Sequence, residues 1–536
     1  MRRHTIVLLL FLVSNTLMAQ QTWQWAAHVG SDFGPYTERA KAITDGTNTY
    51  LIGTYGGTLY LSSDTLLSYG NNDMFISKFD SAGNELWAKT FGGNNFTFLD
   101  WENVTGVYDT TYNCIYLSGK FFGTIAFGSI PILSSIGGMD IFLAKMDTNG
   151  NFIWAKRAGS IHDDNAQVYL NKGNVYMIAQ VTDSAIFDSI HVPNGGILAI
   201  YDSSGTCIRA EMKYSHIDSS WVYLSFLDND LILFGSFRSS QFSIDTANLT
   251  SNGNYDGFIC RTDSIGNVKW RKTVYGTQSQ QFLTVAVDNY RNIYASFSFQ
   301  DTTYIDNDTL IATSNFSTSL IKMSELADII WTKSVNSAVI GTLTCSPDNN
   351  ICISGSFWSS ASFDGITMNS SFPYDMFIAR YDSSGNCIGA DHFGQASCLS
   401  HCMLSDGTII CTGVFVNVVS IDSSQFTSLG SYDIFLTNHN IITGAGDGDR
   451  HSTNNQLIIY ANPNAGKCNI TVPDEFLHEK KLTLTIYDNM GKLIQQKVLG
   501  MNEGKIKLNL EAEAKGIYNV TLSNGVKMYY GKIVFE

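Results

Sequence analysis

The chain has 536 residues, a net charge of −15, 15% charged and 12% aromatic residues, 46 Gly and 7 Pro. That length exceeds one ordinary core and suits a large β architecture with a small extra domain. An acidic surface repels phosphate backbones, which excludes nucleic acid as a partner, and the near absence of helical periodicity excludes a helical protein.

Taken in chain order, Arg2 and Arg3 precede an apolar run at 6–13, with small residues around Ala19. This is the pattern of a secretory signal over 1–20, with a mature chain starting near Gln21. No Cys follows the apolar run, so no lipid anchor is expected. No other apolar run reaches the roughly 18 residues of a transmembrane helix.

A fifteen-residue block then recurs. Residues 73–87 read DMFISKFDSAGNELW, 140–154 DIFLAKMDTNGNFIW and 256–270 DGFICRTDSIGNVKW, with weaker copies from Gly195, Ser317, Asp375 and Asp433. The starts lie 67, 55, 61, 61, 58 and 58 residues apart, the regularity of a repeat architecture. An apolar segment tracks each block, centred on Gly53, Gly119, Ala179, Gly235, Phe297, Gly355 and Gly413. Each repeat holds four strands. In the fifth, strand A is expected at 282–288, B at 293–299, C at 319–324 and D at 329–334, with a hairpin-like stretch between B and C. Four-stranded units repeated radially make a β-propeller. In each block, Asp80 and its equivalents are expected to cap the C–D turn, Gly83 to take positive φ, and Trp87 to pack between units.

The seventh block lacks a Trp-bearing strand D, whereas the N-terminal WQWAAHVG at 23–30 matches LWAKTFGG at 86–93. The N-terminal strand is therefore expected to complete the last blade and leave no open edge. The DxFxxKxDxxGNxxW block resembles the bacterial seven-bladed β-propeller repeat family over 21–442. The pattern departs from the family where Arg209 and Gly389 replace Trp. The resemblance implies a fold, not a chemistry.

Residues 443–456 read as a linker, and 457–536 as a small β-sandwich. Here the motifs are Tyr460-Ala-Asn462-Pro463-Asn464, Ile486-Tyr-Asp-Asn-Met-Gly491-Lys492, Gly516-Ile-Tyr518-Asn-Val520 and the final Lys532-Ile-Val-Phe-Glu536. They resemble the type A C-terminal sorting domain of the type IX secretion system of Bacteroidota, with Ala461 in place of the usual first Pro. The resemblance implies export across the outer membrane, the secretion machinery as a partner, and a secreted or cell-surface location.

No Ser/His/Asp, HExxH or calcium-loop pattern appears, and no cofactor or metal is expected. Cys398, His401 and Cys402 lack a fourth zinc ligand. A two-residue turn at Asp406-Gly407 would pair Cys402 with Cys411, close enough for a disulfide, and Cys345 and Cys352 have the same symmetry about Asp348-Asn349. Loops from strand D to the next strand A gather on one face and carry Phe33, Tyr36, Trp101, the 162–164 acidic stretch and Trp221. Trp101 and Trp221 are the candidate ligand-stacking residues. The sequence thus describes an all-β, exported, monomeric binding scaffold for a glycan or surface protein. The alternative is a secreted polysaccharide hydrolase or lyase whose carboxylates converge at the channel.

Overall fold

The structure is a computed structural model. It describes residues 23–535 apart from 33–39, 71, 94–104, 216–220, 239–241, 245–246, 307, 315, 371–372, 422–423, 440–456, 461–463, 474–475, 477–480, 489–492, 501–503 and 525–527. The chain divides into two compact units, 1–443 and 444–536. Among the described residues the regular structure is β, and no helix is long and apolar enough to cross a membrane.

The first unit is propeller-like. Its opening sheet holds strand A (Ala40–Thr44), B (Thr49–Tyr55), C (Asp73–Phe79) and D (Glu85–Phe91), each antiparallel to the next. The same A–B–C–D order recurs over 105–159, 165–214, 221–276, 280–336 and 338–394. These sheets are numbered here in chain order. In sheet 7, strands Ala396–Met403, Ile409–Phe415 and Asp433–His439 are joined by the N-terminal strand Trp23–Ser31 in the strand D position. Every residue of strand B in sheet 1 is buried, whereas strand D alternates. That contrast follows from position: B and C are sandwiched between neighbouring sheets, so their sequence reads as a continuous apolar run. In sheet 7, a Cβ on Gly413 of strand B would lie 1.9 Å from the Ser397 carbonyl of strand A, which explains the small residue recurring there.

Seven apolar clusters lie between consecutive sheets. One of them joins Val29, Val414, Ile434 and Leu436 of sheet 7 to Leu51, Phe75 and Phe79 of sheet 1. The repeat motif builds the rest of each junction. Asp80 Oδ1 accepts from the N–H groups of Ala82 and Asn84 at 2.9 and 2.8 Å, and Gly83 has φ +82°. Equivalent carboxylates at Asp147, Asp202, Asp263 and Asp382 close the same turn. The carbonyl left pointing outward at the turn's second residue is claimed by the preceding sheet. Trp154 Nε1 and Lys145 Nζ both donate to Ser203 O, at 3.3 and 2.9 Å. Trp331 and Lys322 both donate to Ser383 O, at 3.3 and 2.8 Å. Trp270 and Arg261 do so to Glu325 O.

This explains both departures from the motif. Arg209 stands where Trp is expected, and its guanidinium donates to Ser264 O at 3.0 Å and Ile265 O at 2.9 Å, so it takes over the indole's contact. Gly389, in sheet 6, faces sheet 7, whose strand D comes from the far end of the chain. Sheet 7 therefore has no C–D turn for a Trp to reach.

Between B and C each unit inserts a short hairpin; in four of the units it extends the preceding sheet, and at 124–134, 360–369 and 418–427 it forms a separate two-stranded sheet. Ala185–Phe187 pairs with the strand D ending at Gly159, Phe242–Ile244 with Tyr214, and Thr302–Ile305 with the segment 274–276. Thr58–Tyr60 likewise pairs with Gly30 and Ser31 of the N-terminal strand. Unpaired outer edges, a standing aggregation hazard, are shortened this way.

Gly83→Ala tests the junction. The new Cβ would lie 2.5 Å from the Trp25 ring and hold φ +82° against its preference. The expected loss is about 2 kcal/mol in urea unfolding, against less than about 0.5 kcal/mol for Ala82→Gly at the exposed turn residue beside it.

The second unit is a two-sheet sandwich. Ile458–Tyr460, Lys467–Thr471 and Lys505–Asn509 form one sheet. Leu493–Leu499, Leu482–Asp488, Gly516–Ser523 and Met528–Phe535 form the other. Ile470, Leu484, Ile486, Leu522 and Ile533 fill the space between them.

Candidate functional site

Where strand A of sheet 4 begins, Trp221 stacks on Tyr255 with ring centroids 5.5 Å apart and planes at 26°. The Arg238 guanidinium lies 5.8 Å from the Tyr255 centroid. The chain places them together because Trp221 opens strand A, Arg238 follows strand B (Asp230–Phe237) and Tyr255 precedes strand C (Asp256–Thr262), all at one edge of the sheet. Tyr255 is fixed from behind: its carbonyl accepts from Gln280 N of sheet 5 at 2.7 Å. Trp221 and Tyr255 are half-buried and Arg238 is exposed. The indole N–H, phenol and guanidinium have no hydrogen-bond or ion-pair partner among the described residues. Trp101, the other candidate stacking residue, lies outside the described residues, as do Phe33 and Tyr36.

The acidic stretch at 162–164 leads to a second cluster. Asp164 is 1% exposed and accepts from Ser160 Oγ at 3.0 Å and Thr182 N at 3.1 Å. Asp140, fully buried, is paired with Arg157 at 2.6 Å, and its Oδ1 has no partner. Gly159 separates the two carboxyls; a Cβ there would sit 2.8 Å from Asp164 Oδ2 and 3.0 Å from Asp140 Oδ1. Burial, reinforced by Asp140, pushes Asp164 up to about 6. Its ordinary value is 3.8, so the folded chain holds this proton more tightly than the unfolded one. That advantage is complete below about pH 4 and lost as pH rises through 6, on the order of 2 kcal/mol. Urea midpoints at pH 4.5 and 7.5 should show the loss. Asp140→Asn, which removes the neighbouring charge, should shrink the difference while the larger share, set by burial, remains.

His401 is buried between Thr344 Oγ1 at 2.8 Å and Ser354 Oγ at 2.7 Å, and burial pulls its pKa to about 3, so it stays neutral. Among the described residues no group of three or more His, Cys, Asp and Glu is placed to hold a metal. Cys398 and Cys402 belong to the apolar clusters on opposite faces of sheet 7.

The two expected disulfides are corrected. All four cysteines are free thiols. The Asp406-Gly407 turn has three residues, not two: Leu404 N donates to Thr408 O at 2.8 Å and Gly407 has φ +87°. Cys402 therefore pairs with Ile410, and Cys411 with His401. Neighbouring strand positions point to opposite faces, and Cys402 and Cys411 sit in different cores. Cys345 and Cys352 are separated by the same shift, opposite Ile351 and Thr344. The signal was present in the sequence, because Leu404-Ser-Asp-Gly407-Thr408 has its Gly where Asp80-Ser-Ala-Gly83-Asn84 does.

In the second unit, Asn464 ties the 464–466 turn to the last strand. Its backbone N–H and side-chain amide donate to Val534 O at 2.8 and 3.1 Å, and its Oδ1 accepts from Gly466 N. Tyr518 is buried and its hydroxyl donates to Ala514 O, while Gly516 opens the same strand opposite Phe535. Asn462, Pro463 and Gly491 lie outside the described residues.

Residues 458–536 match the secretion system C-terminal sorting domain family. The sorting domain is a type IX export signal: it engages the secretion machinery and directs the protein to the cell surface or the medium. No curated protein matches the chain in sequence. Among solved structures, similarity extends to a DUF4221-family protein from Bacteroides vulgatus at 11% identity, covering 63% of this chain and 92% of that one with a TM-score of 0.32. The Dos1 propeller is similar at 10% identity, 76% and 96% coverage and a TM-score of 0.30. An apocarotenoid oxygenase from Synechocystis is similar at 9% identity, 78% and 94% coverage and a TM-score of 0.33. The propeller-like assignment for the first unit rests on its own strand order.

Proposed function

We propose that this is a monomeric, surface-displayed or released binding protein of a member of the Bacteroidota, built on a closed seven-bladed propeller. Ring closure is supported by the Trp23–Ser31 strand in sheet 7 and the apolar cluster between sheets 7 and 1. Binding rather than turnover is supported by one observation above all: the Trp221–Tyr255 stack with its unpaired Arg238 at a sheet edge. An aromatic face beside free donors is suited to stacking on a sugar ring while holding its polar groups.

The alternative, polysaccharide cleavage, needs a carboxyl pair facing the substrate. The Asp140–Asp164 pair does not meet that need, being at most 1% exposed.

The test is a glycan-array screen with the mature chain, 21–536, each hit being assayed for product. Binding without product, lost in Trp221→Ala with melting unchanged, is expected. Product release overturns the binding reading, and a blank array points to a protein partner.

A further inference from the structure

We infer that the Trp221–Tyr255–Arg238 edge is a subsite for an acidic sugar, with Arg238 gripping a carboxylate and Trp221 carrying the ring. The inference rests on the glycan-binding reading and sharpens it.

Its starting point is the use to which arginine is put elsewhere in the fold. Arg157, Arg209, Arg261, Arg291 and Arg380 each pair with a carboxylate, whereas Arg271, exposed on strand D of the same sheet as Arg238, has no such partner among the described residues. Arg238 is exposed, lies beside the Tyr255 ring, and unlike Arg271 has an aromatic face next to it. In a chain of net charge −15 with abundant Asp, a guanidinium with no carboxylate partner among the described residues is a place where an external anion meets a favourable local field. The nearest acid in sequence to Tyr255 does not fill the place. Asp256 is 1% exposed and its Oδ2 accepts from Asn252 N at 2.8 Å.

A guanidinium presents a planar fork that matches a carboxylate through two parallel N–H···O bonds, and held near an aromatic ring it loses little further freedom on binding. The neighbouring Trp221 offers an apolar plane with a free indole N–H at its edge. A ring with an axial C–H face, hydroxyls and one carboxylate satisfies all of these groups together. A neutral sugar leaves the cation unanswered, and a bare anion leaves the stack unused. The ligand class is therefore a uronic-acid-containing oligosaccharide.

The test compares binding of oligogalacturonate and its methyl ester to the mature chain by calorimetry. The ester removes only the charge. The acid should bind at least ~10-fold more tightly at low salt, the preference narrowing as salt screens the ion pair. Arg238→Met keeps the stem and removes the fork; it should bring acid and ester within ~2-fold of each other. Trp221→Phe should weaken both ligands alike. Equal binding of acid and ester by the native chain overturns this inference while leaving glycan binding intact, as does an acid preference that survives Arg238→Met. Binding of neither, with neutral hits on the array, overturns the acidic assignment alone. Binding of neither with a blank array overturns both readings.

Discussion

A chain that starts at Asp32, lacking Trp23–Ser31, is expected to lose cooperative folding of its first unit. The missing strand pairs with Asp433–His439 through five register positions, from Trp23 opposite His439 to Val29 opposite Ile434. Trp23, Ala27 and Val29 are buried, Val29 completely. Thr437 Oγ1 donates to Trp25 O at 2.6 Å, and Asn438 Oδ1 accepts from the backbone N–H of Trp25 at 2.9 Å. Trp25 also reaches Ser81 O of sheet 1 at 3.1 Å, so one strand stitches the last sheet to the first. Returning the buried Trp and Val side chains to water costs about 2–3 kcal/mol each, before any ladder bond is counted. The sum approaches the 5–15 kcal/mol that typically separates folded from unfolded domains. Truncation also bares strand Asp433–His439 as a free edge. The truncated protein should melt at least 10 °C lower or aggregate, and a synthetic peptide of residues 21–32 should restore the native melt when added in excess. An unchanged, monomeric melt would falsify ring closure.

Deleting 457–536 is expected to have the opposite profile: folding intact, delivery lost. The sandwich has its own core, centred on Ile470, Ile486, Leu522 and Ile533. Among the described residues, the first unit's clusters draw on none beyond Leu436. Without the sorting domain, surface labelling of intact cells should fall to background while the first unit accumulates in the periplasm with its melting unchanged. Normal surface display of the deletion would sink the export assignment. Tyr518→Ala offers a graded version. The buried ring and its bond to Ala514 are lost, which costs the sandwich about 3 kcal/mol or more and should reduce display in proportion.

Much of this was legible in the sequence because the repeat writes its junction into each copy. Asp80, Gly83, Lys78 and Trp87 each meet a need that recurs at the same place, and the orphan strand at 23–30 carried the same signature. What was not legible came from one-residue details. A three-residue turn at 405–407 in place of a two-residue one moved Cys402 out of Cys411's reach. Four of the hairpins between B and C pair with the preceding sheet, which no local pattern reveals, because their partners are sequence-distant strands. Arg209 looked like a lapse in the motif and performs the same task through different chemistry. Tyr255 and Arg238 were missed altogether, since each sits outside a strand and only the folding of sheet 4 brings them beside Trp221.

The position of the N-terminal strand also sets how the last sheet holds its neighbour. The chain leaves the first unit from His439, the end of a strand flanked on one side by Ile409–Phe415 and on the other by Trp23–Ser31. To come away from the sheet, that strand has to break both ladders of hydrogen bonds. A strand at the sheet's edge would instead peel away bond by bond. By placing its N-terminal segment outside its last repeat, the chain puts the end of its first unit on a strand held by two ladders rather than one.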